Sequence, residues 1–154
     1  EHMRNYAQLL SRINEWLIPG GKLFVHIFCH RNLMYPFTTG DEYDWMSRYF
    51  FTGGLMPSEH TLLYFQDDLK LEAQWRVSGQ HYEKTSNAWL ARMDKNRDTI
   101  LPVLAGVYGD AEAQRWLQRW RMFFMAVAEL FGYRSGTEWF VSHYRFGKPV
   151  QAGG

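Results

Sequence analysis

The segment PGGKLFVHIFC, residues 19–29, decides the fold class of this chain. Its Pro-Gly-Gly start ends any preceding helix, and the run 22–29 that follows is almost continuously apolar. A run of this length without polar alternation predicts a strand buried on both faces, as in a parallel sheet.

The elements around this strand indicate an α/β fold. Residues 4–17 place apolar side chains at three-four spacing, which predicts an amphipathic helix ahead of the glycine turn. Helix, tight turn and buried strand in succession are typical of α/β domains. Further strands are expected over 69–78 and 139–146. Further helices are expected over 44–50, 59–68 (capped by Ser58), 84–97 and 111–131. A turn is expected over 79–82, and a break near 106–109 after Pro102.

The strand over 22–29 needs a neighbour on each side. If one edge stays open, its unpaired backbone groups invite pairing with another chain. We therefore expect the sheet to be incomplete in this sequence, and the chain to self-associate through that strand edge.

The composition excludes several classes of protein. With a formal net charge of +1 and no basic run, the chain lacks the footprint of a nucleic-acid-binding protein. No apolar stretch reaches the roughly 18 residues needed to span a bilayer, and one cysteine permits no internal disulfide. With no signal peptide at the start of the sequence, we expect a soluble, cytoplasmic protein. Aromatic residues make up 18%, which suits an aromatic-lined pocket as well as a core.

The segment 31–58 is long, irregular and rich in aromatic side chains. Segments of this kind are more often functional lids or insertions than plain connections. We therefore expect it to be a functional lid or insertion.

Motifs for nucleotides and metals are missing from the sequence. No strand leads through a glycine-rich loop into a helix, so we expect no cofactor-binding residue in this chain. Cys29 with His26 and His30 does not have the spacing of a known zinc site, and we expect no metal.

Several strings in order carry a family resemblance: EHMRNY at 1–6, PGGKLFVHIFCH at 19–30, DWMSRYFFTGG at 44–54, and HYEKTSNAWL at 81–90 with RWRMFFMAVAELFGY at 119–133. In these strings the sequence resembles the coclaurine N-methyltransferase and cyclopropane-fatty-acid synthase group of class I S-adenosylmethionine-dependent methyltransferases. The resemblance covers nearly the whole chain.

The resemblance implies a Rossmann-like α/β methyltransferase sheet of seven strands. Residues 1–154 would be the C-terminal half of that domain, supplying strands five to seven with helical insertions. The implied cofactor, S-adenosylmethionine, would be bound mainly by an N-terminal half that this sequence does not contain.

Glu1 and His2 are the catalytic residues that the resemblance implies. A carboxylate and an imidazole side by side can hold an ammonium and take its proton, which frees the nitrogen lone pair for methylation. The alternative is that Glu1 only caps a helix and His2 is solvated.

Four further residues are implied to bind substrate. Trp120 and Phe123 lie about one helical turn apart and would form an aromatic wall for a benzylisoquinoline-like ring and its cationic nitrogen. Their alternative role is ordinary helix core. His26 and Tyr82 match positions that help cyclopropane synthases bind a bicarbonate base, and the alternative for His26 is a hydrogen-bonded strand histidine.

The expected function is N-methylation of a small amine by direct displacement. One alternative is cyclopropane-type methyl transfer to an unsaturated membrane lipid, which the balanced charge does not favour. A second, non-enzymatic alternative is an aromatic-rich ligand-binding or interaction module.

Overall fold

A three-stranded sheet and a three-helix group make up two separate units of the chain. The computed structural model describes residues 2–40 and 45–150. The sheet unit comprises residues 1–77 and 139–154, and the helical unit comprises residues 78–138.

The sheet unit contains all five strands found in the described residues. Its elements are α1 (Tyr6–Trp16), β1 (Lys22–His30), β2 (Tyr35–Pro36), α2 (Trp45–Tyr49), β3 (Leu55–Met56), a 3-10 turn (Thr61–Tyr64), β4 (Lys70–Val77) and β5 (Trp139–Gly147). The strands and helices predicted at 4–17, 22–29, 44–50, 69–78 and 139–146 are confirmed to within two residues at each end.

β5 is the central strand and runs antiparallel to both of its neighbours. The sheet order is β1-β5-β4, with His26 opposite His143 on one side and Trp75 opposite His143 on the other. β1 and β4 are therefore parallel to each other but not adjacent. β2 and β3 form a separate two-stranded pairing.

Only one face of β1 is covered by the described residues. Ile27 and Cys29 are buried, whereas Phe24 on the opposite face is 58% exposed and His26 is also exposed. The expectation of burial on both faces is therefore wrong for this part of the chain. The reason is that α1 and the core residues pack on the Ile27 side, in a cluster that includes Tyr6, Leu10, Leu69, Tyr144 and Phe146.

The helix expected over 59–68 is replaced by a short 3-10 turn. The Ser58 side chain does not cap a helix, because its backbone N–H and its hydroxyl both pair with the Thr61 hydroxyl, at 2.9 and 3.0 Å. The Glu59 N–H donates to the His30 carbonyl at 2.9 Å, and an isolated parallel bridge links His30 to Ser58. This segment is thus tied to the end of β1 instead of continuing as a helix.

A polar network surrounds the buried Glu59. Its carboxylate, 6% exposed, accepts two hydrogen bonds from Arg76, whose guanidinium also lies 5.2 Å from the centre of the Phe140 ring. The Glu59 carbonyl accepts hydrogen bonds from the Tyr144 hydroxyl at 2.6 Å and from the Gln74 amide at 3.2 Å. Residues of β4 and β5 therefore hold the segment after β1 against the sheet.

The helical unit consists of α3 (Gly79–Lys95), α4 (Arg97–Tyr108), α5 (Ala113–Gly132) and a 3-10 turn (Tyr133–Gly136). The turn expected over 79–82 is instead the first turn of α3, because the Ser78 hydroxyl caps that helix by accepting from the Gln80 N–H at 3.3 Å. Pro102 lies inside α4, which continues past Gly106 and ends at Tyr108, with Gly109 as its C-cap at φ 89°.

Apolar contacts join the three helices. Their core contains Met93, Leu104, Ala113 and Leu117. Tyr108 of α4 stacks on Trp116 of α5, with ring centres 3.8 Å apart.

We expect Arg76→Met to lower the free energy of unfolding by about 2 kcal/mol, because it leaves the buried Glu59 carboxylate without its guanidinium partner. Urea unfolding of the chain, followed by circular dichroism, measures this change. The matched control is Arg145→Met on the same sheet: its partner Glu72 is more exposed and keeps Lys22 as a second partner, so stability should change little. Equal losses in the two variants would contradict the importance of the buried pair.

Candidate functional site

A cleft of about 760 Å³ lies within the helical unit. α3, α4 and α5 each contribute to its walls. A volume of this size suits a small organic ligand, and such sites typically combine an apolar lining with a few placed polar groups. The lining residues are Trp89, Arg92, Met93, Asn96, Thr99, Ile100, Leu104, Trp120, Phe123 and Phe124.

The α5 side of the cleft is aromatic. Trp120 and Phe123 meet edge to face with ring centres 5.6 Å apart, and Phe124 lies 5.8 Å from each of them. Spacings of three and four residues on a helix place these side chains on neighbouring positions of one surface. The structure thus brings Trp120 and Phe123 together on the wall of the cleft.

Trp89 extends this aromatic surface onto α3. Its ring lies 5.8 Å from Phe124 and 6.2 Å from Tyr82. The Tyr82 ring packs edge to face on Phe131 at 4.7 Å and is not among the lining residues. Tyr82 is therefore one ring removed from the cleft, and Trp89 and Phe124 are lining residues that sequence reasoning did not single out.

The polar lining residues of the cleft cluster where α3 ends and α4 begins. Arg92, Asn96 and Thr99 follow one another at intervals of four and three residues. The Asn96 side-chain amide donates to the Arg92 carbonyl at 2.7 Å and thereby closes the end of α3. The cleft thus combines aromatic rings with a few polar groups, and such groups can orient a ligand.

His2 belongs to the sheet unit, where its ring stacks on Phe51 with centres 6.0 Å apart. Phe51 in turn contacts Phe28 at 5.8 Å and Phe37 at 5.2 Å. Phe37 and Phe51 both lie in segment 31–58. Glu1 lies outside the described residues.

His26 pairs with a histidine that sequence reasoning missed. Its Nδ1 lies 2.9 Å from Nε2 of His143 on β5, which is a hydrogen bond between two imidazoles. Desolvation and the neighbouring His26 lower the pKa of His143, so that ring tends to stay neutral. Only the cross-strand register identifies this partner, because the two residues are far apart in sequence.

Metal and thiol chemistry find no support in the described part of the chain. Residues 2–40 and 45–150 contain no cluster of three or more His, Cys, Asp or Glu side chains that could hold a metal ion. His30 Nδ1 accepts hydrogen bonds from the backbone N–H groups of Asn32 and Leu33, at 3.0 and 2.8 Å. Burial, with a smaller contribution from Glu59, raises the pKa of Cys29 to about 12. The Cys29 thiol is thus protonated at neutral pH and a poor nucleophile.

No helix of the described segments combines the length and the apolar character that a membrane span requires.

Comparison with known proteins places these features in a family. Residues 1–137 match the family described as mycolic acid cyclopropane synthetase. (S)-Coclaurine N-methyltransferase of Thalictrum flavum subsp. glaucum is 41% identical over 96% of this chain and 42% of its own length. Pavine N-methyltransferase of the same plant is 35% identical, again over 96% of this chain and 42% of the relative. The chain thus spans less than half the length of the curated relatives it matches.

Solved structures show the same relationship. A coclaurine N-methyltransferase bound to N-methylheliamine and SAH is 40% identical, with a TM-score of 0.87 over 96% of this chain and 45% of that one. A cyclopropane synthase from Mycobacterium tuberculosis is only 16% identical, with a TM-score of 0.63 over 92% of this chain and 49% of that one, and supports the fold alone. These matches confirm the expected fold class, a C-terminal part of a Rossmann-like methyltransferase fold. With a family match over most of its length, the chain belongs to the mycolic acid cyclopropane synthetase family, and the N-methyltransferases named above are relatives of it.

Proposed function

We propose that this chain is the acceptor-binding half of a methyltransferase that transfers a methyl group from S-adenosylmethionine to the nitrogen of a small aromatic amine. The aromatic cleft of the helical unit is the observation that carries the proposal. Relatives named as N-methyltransferases align along almost all of the chain, and one of them is bound to N-methylheliamine and SAH. The cleft offers such an amine flat ring surfaces, and those surfaces also attract a cationic nitrogen.

The described residues do not form a cradle for S-adenosylmethionine. Nucleoside-containing cofactors need glycines between a strand and a helix so that the backbone can approach closely. Gly20, Gly53 and Gly109 have positive φ but follow helices or lie in loops, and Gly136 is packed against Ser78 and residues 79–80. The proposal therefore assigns cofactor binding to the part of the methyltransferase domain that this sequence does not contain.

The proposal gives Glu1 and His2 the handling of the amine proton. An amine is mostly protonated at neutral pH and must lose its proton before nitrogen can accept a methyl group. The ring of His2 rests on Phe51, which limits its orientations and supports a positioned base. Phe51 would only position His2 and would take no part in the proton transfer itself.

The free edge of β1 supports self-association of the chain. Within the described segments, β1 pairs with β5 on one side, and its other edge carries no strand apart from the bridge at His30. In a complete methyltransferase sheet that edge would be covered by a further strand. In the chain alone, we expect a second copy to pair there.

We expect Phe123→Ala to weaken binding of tetrahydroisoquinoline to the chain about tenfold, because the variant removes a ring from the cleft wall. Nuclear magnetic resonance titration measures the dissociation constant. Val107→Ala, at an exposed α4 position outside the cleft, is the matched control and should bind as the wild type does. Equal affinity of the folded Phe123 variant and the wild type, or no binding by the wild type, would contradict the assignment of the cleft.

We expect His2→Ala to reduce turnover about 10²-fold in a full-length enzyme that contains this chain, because the variant removes the general base. The loss should shrink as pH rises, since the amine then arrives neutral. Rates of methyl transfer across pH measure both effects, and His60→Ala, at an exposed histidine, is the control.

Full activity of His2→Ala on amines at neutral pH would show that His2 is not the base. A rate that rises with added bicarbonate on unsaturated phospholipid and falls in Tyr82→Phe would favour the cyclopropane-type alternative.

We expect the chain to self-associate with rising concentration in sedimentation velocity, and Phe24→Lys to shift it to monomer, because lysine on an edge strand disfavours pairing. Trp16→Lys replaces an equally prominent exposed aromatic residue on α1 and should leave self-association unchanged. A wild-type chain that stays monomeric would refute pairing through this edge.

A further inference from the structure

Arg92 is the arginine of the helical unit that has no side-chain partner among the described residues. The other five arginines of residues 78–138 are engaged: Arg97 with Gln114, Arg115 and Arg119 with Glu112, Arg121 with Asp94, and Arg134 with Glu138. Arg92 instead lines the cleft. Its guanidinium keeps all its donors available for a ligand, and it stays charged at every physiological pH.

Two further polar groups lie beside it along the same side of the cleft. Asn96 uses its side-chain N–H₂ and its backbone N–H on the last turn of α3, which leaves the amide oxygen toward other partners. The Thr99 hydroxyl makes no hydrogen bond among the described residues, so it is also available. The three residues therefore form a short polar stripe, Arg92–Asn96–Thr99, in the lining of the cleft.

The positive charge of the cleft lining determines which groups of a ligand can lie beside this stripe. The lining residues include one cation and no carboxylate. An ammonium placed beside Arg92 would meet like charge without a compensating anion, which is unfavourable. Hydroxyl, phenolate or other oxygen groups, by contrast, accept hydrogen bonds from a guanidinium.

We propose that the Arg92–Asn96–Thr99 stripe is a specificity-determining subsite that selects aromatic amines carrying oxygen substituents on the ring, and that it turns the nitrogen away from this end of the cleft. This inference rests on the proposed function, because it concerns how the same cleft tells acceptors apart. Arg92 acts by positioning and selection and takes no part in the proton transfer.

The test compares two bicyclic amines that differ only in ring oxygens: tetrahydroisoquinoline and its 6,7-dihydroxy derivative. Their dissociation constants for the 154-residue chain are measured by nuclear magnetic resonance titration for the wild type, Arg92→Met, Arg92→Lys and Arg97→Met. We expect the wild type to bind the dihydroxy compound about tenfold more tightly, since hydrogen bonds to a charged donor are strong. Arg92→Met should reduce this preference to about twofold or less.

Two of the variants separate charge from position. Lysine keeps the charge but loses the forked donor geometry, so Arg92→Lys should retain part of the preference. Arg97 lies near the start of α4, pairs with Gln114 and is not a lining residue, so Arg97→Met should retain all of it. Arg92 is exposed, and thermal unfolding should show that both Arg92 variants remain folded.

The titrations distinguish failure of the subsite from failure of the cleft as the amine site. If both amines bind the wild type equally, or if Arg92→Met keeps the full preference, the subsite is refuted while the cleft remains the amine site. If neither amine binds the wild-type chain, the cleft assignment fails and the subsite fails with it. A preference that disappears in Arg92→Met and persists in Arg97→Met supports the subsite.

Discussion

The pairing of β5 with both β1 and β4 is the constraint on which the sheet unit depends. β5 comes from the far end of the chain, yet every residue of Trp139–Gly147 lies opposite a residue of β1. This long-range ladder closes the sheet across the intervening residues 78–138. It also sets the burial pattern, because the register places Tyr144 and Phe146 on the core side together with Ile27. Without β5, β1 and β4 would share no hydrogen bonds.

The core face of the sheet shows how a charge can be accommodated inside such a unit. Glu59 is buried, and its carboxylate is matched by a two-pronged hydrogen bond from Arg76, while its carbonyl is held by Tyr144 and Gln74. A buried carboxylate without such partners would be costly. Arg92 of the helical unit presents the opposite case, a cation at a cleft without a side-chain partner among the residues that the structure describes. A partner for that cation would have to come from a ligand or from water.

The family of the chain and its chemistry rest on different observations. Solved cyclopropane synthases share the fold at 15–16% identity, and a phosphoethanolamine N-methyltransferase shares it at 12%. The fold by itself therefore does not choose between an amine and an alkene as methyl acceptor. The identity of 41% to a coclaurine N-methyltransferase and the aromatic cleft of the helical unit favour the amine. The cleft combines rings on α3 and α5 with polar groups at the junction of α3 and α4, a lining suited to an aromatic ligand with polar substituents.

Local pattern determined much of this protein from sequence alone. Apolar patterning located α1, β1, β4, α5 and β5, and helical spacing placed Trp120 and Phe123 on one face of α5. The ordered motifs identified the family. What depended on contacts between distant residues could not be read in this way. The antiparallel order β1-β5-β4, the His26–His143 pair and the replacement of a helix at 59–68 by a turn tied to β1 all arise from pairing across the chain. The polar side of the cleft is a further case, because the role of Arg92 follows from which arginines find partners once three helices have packed, and no local periodicity encodes that.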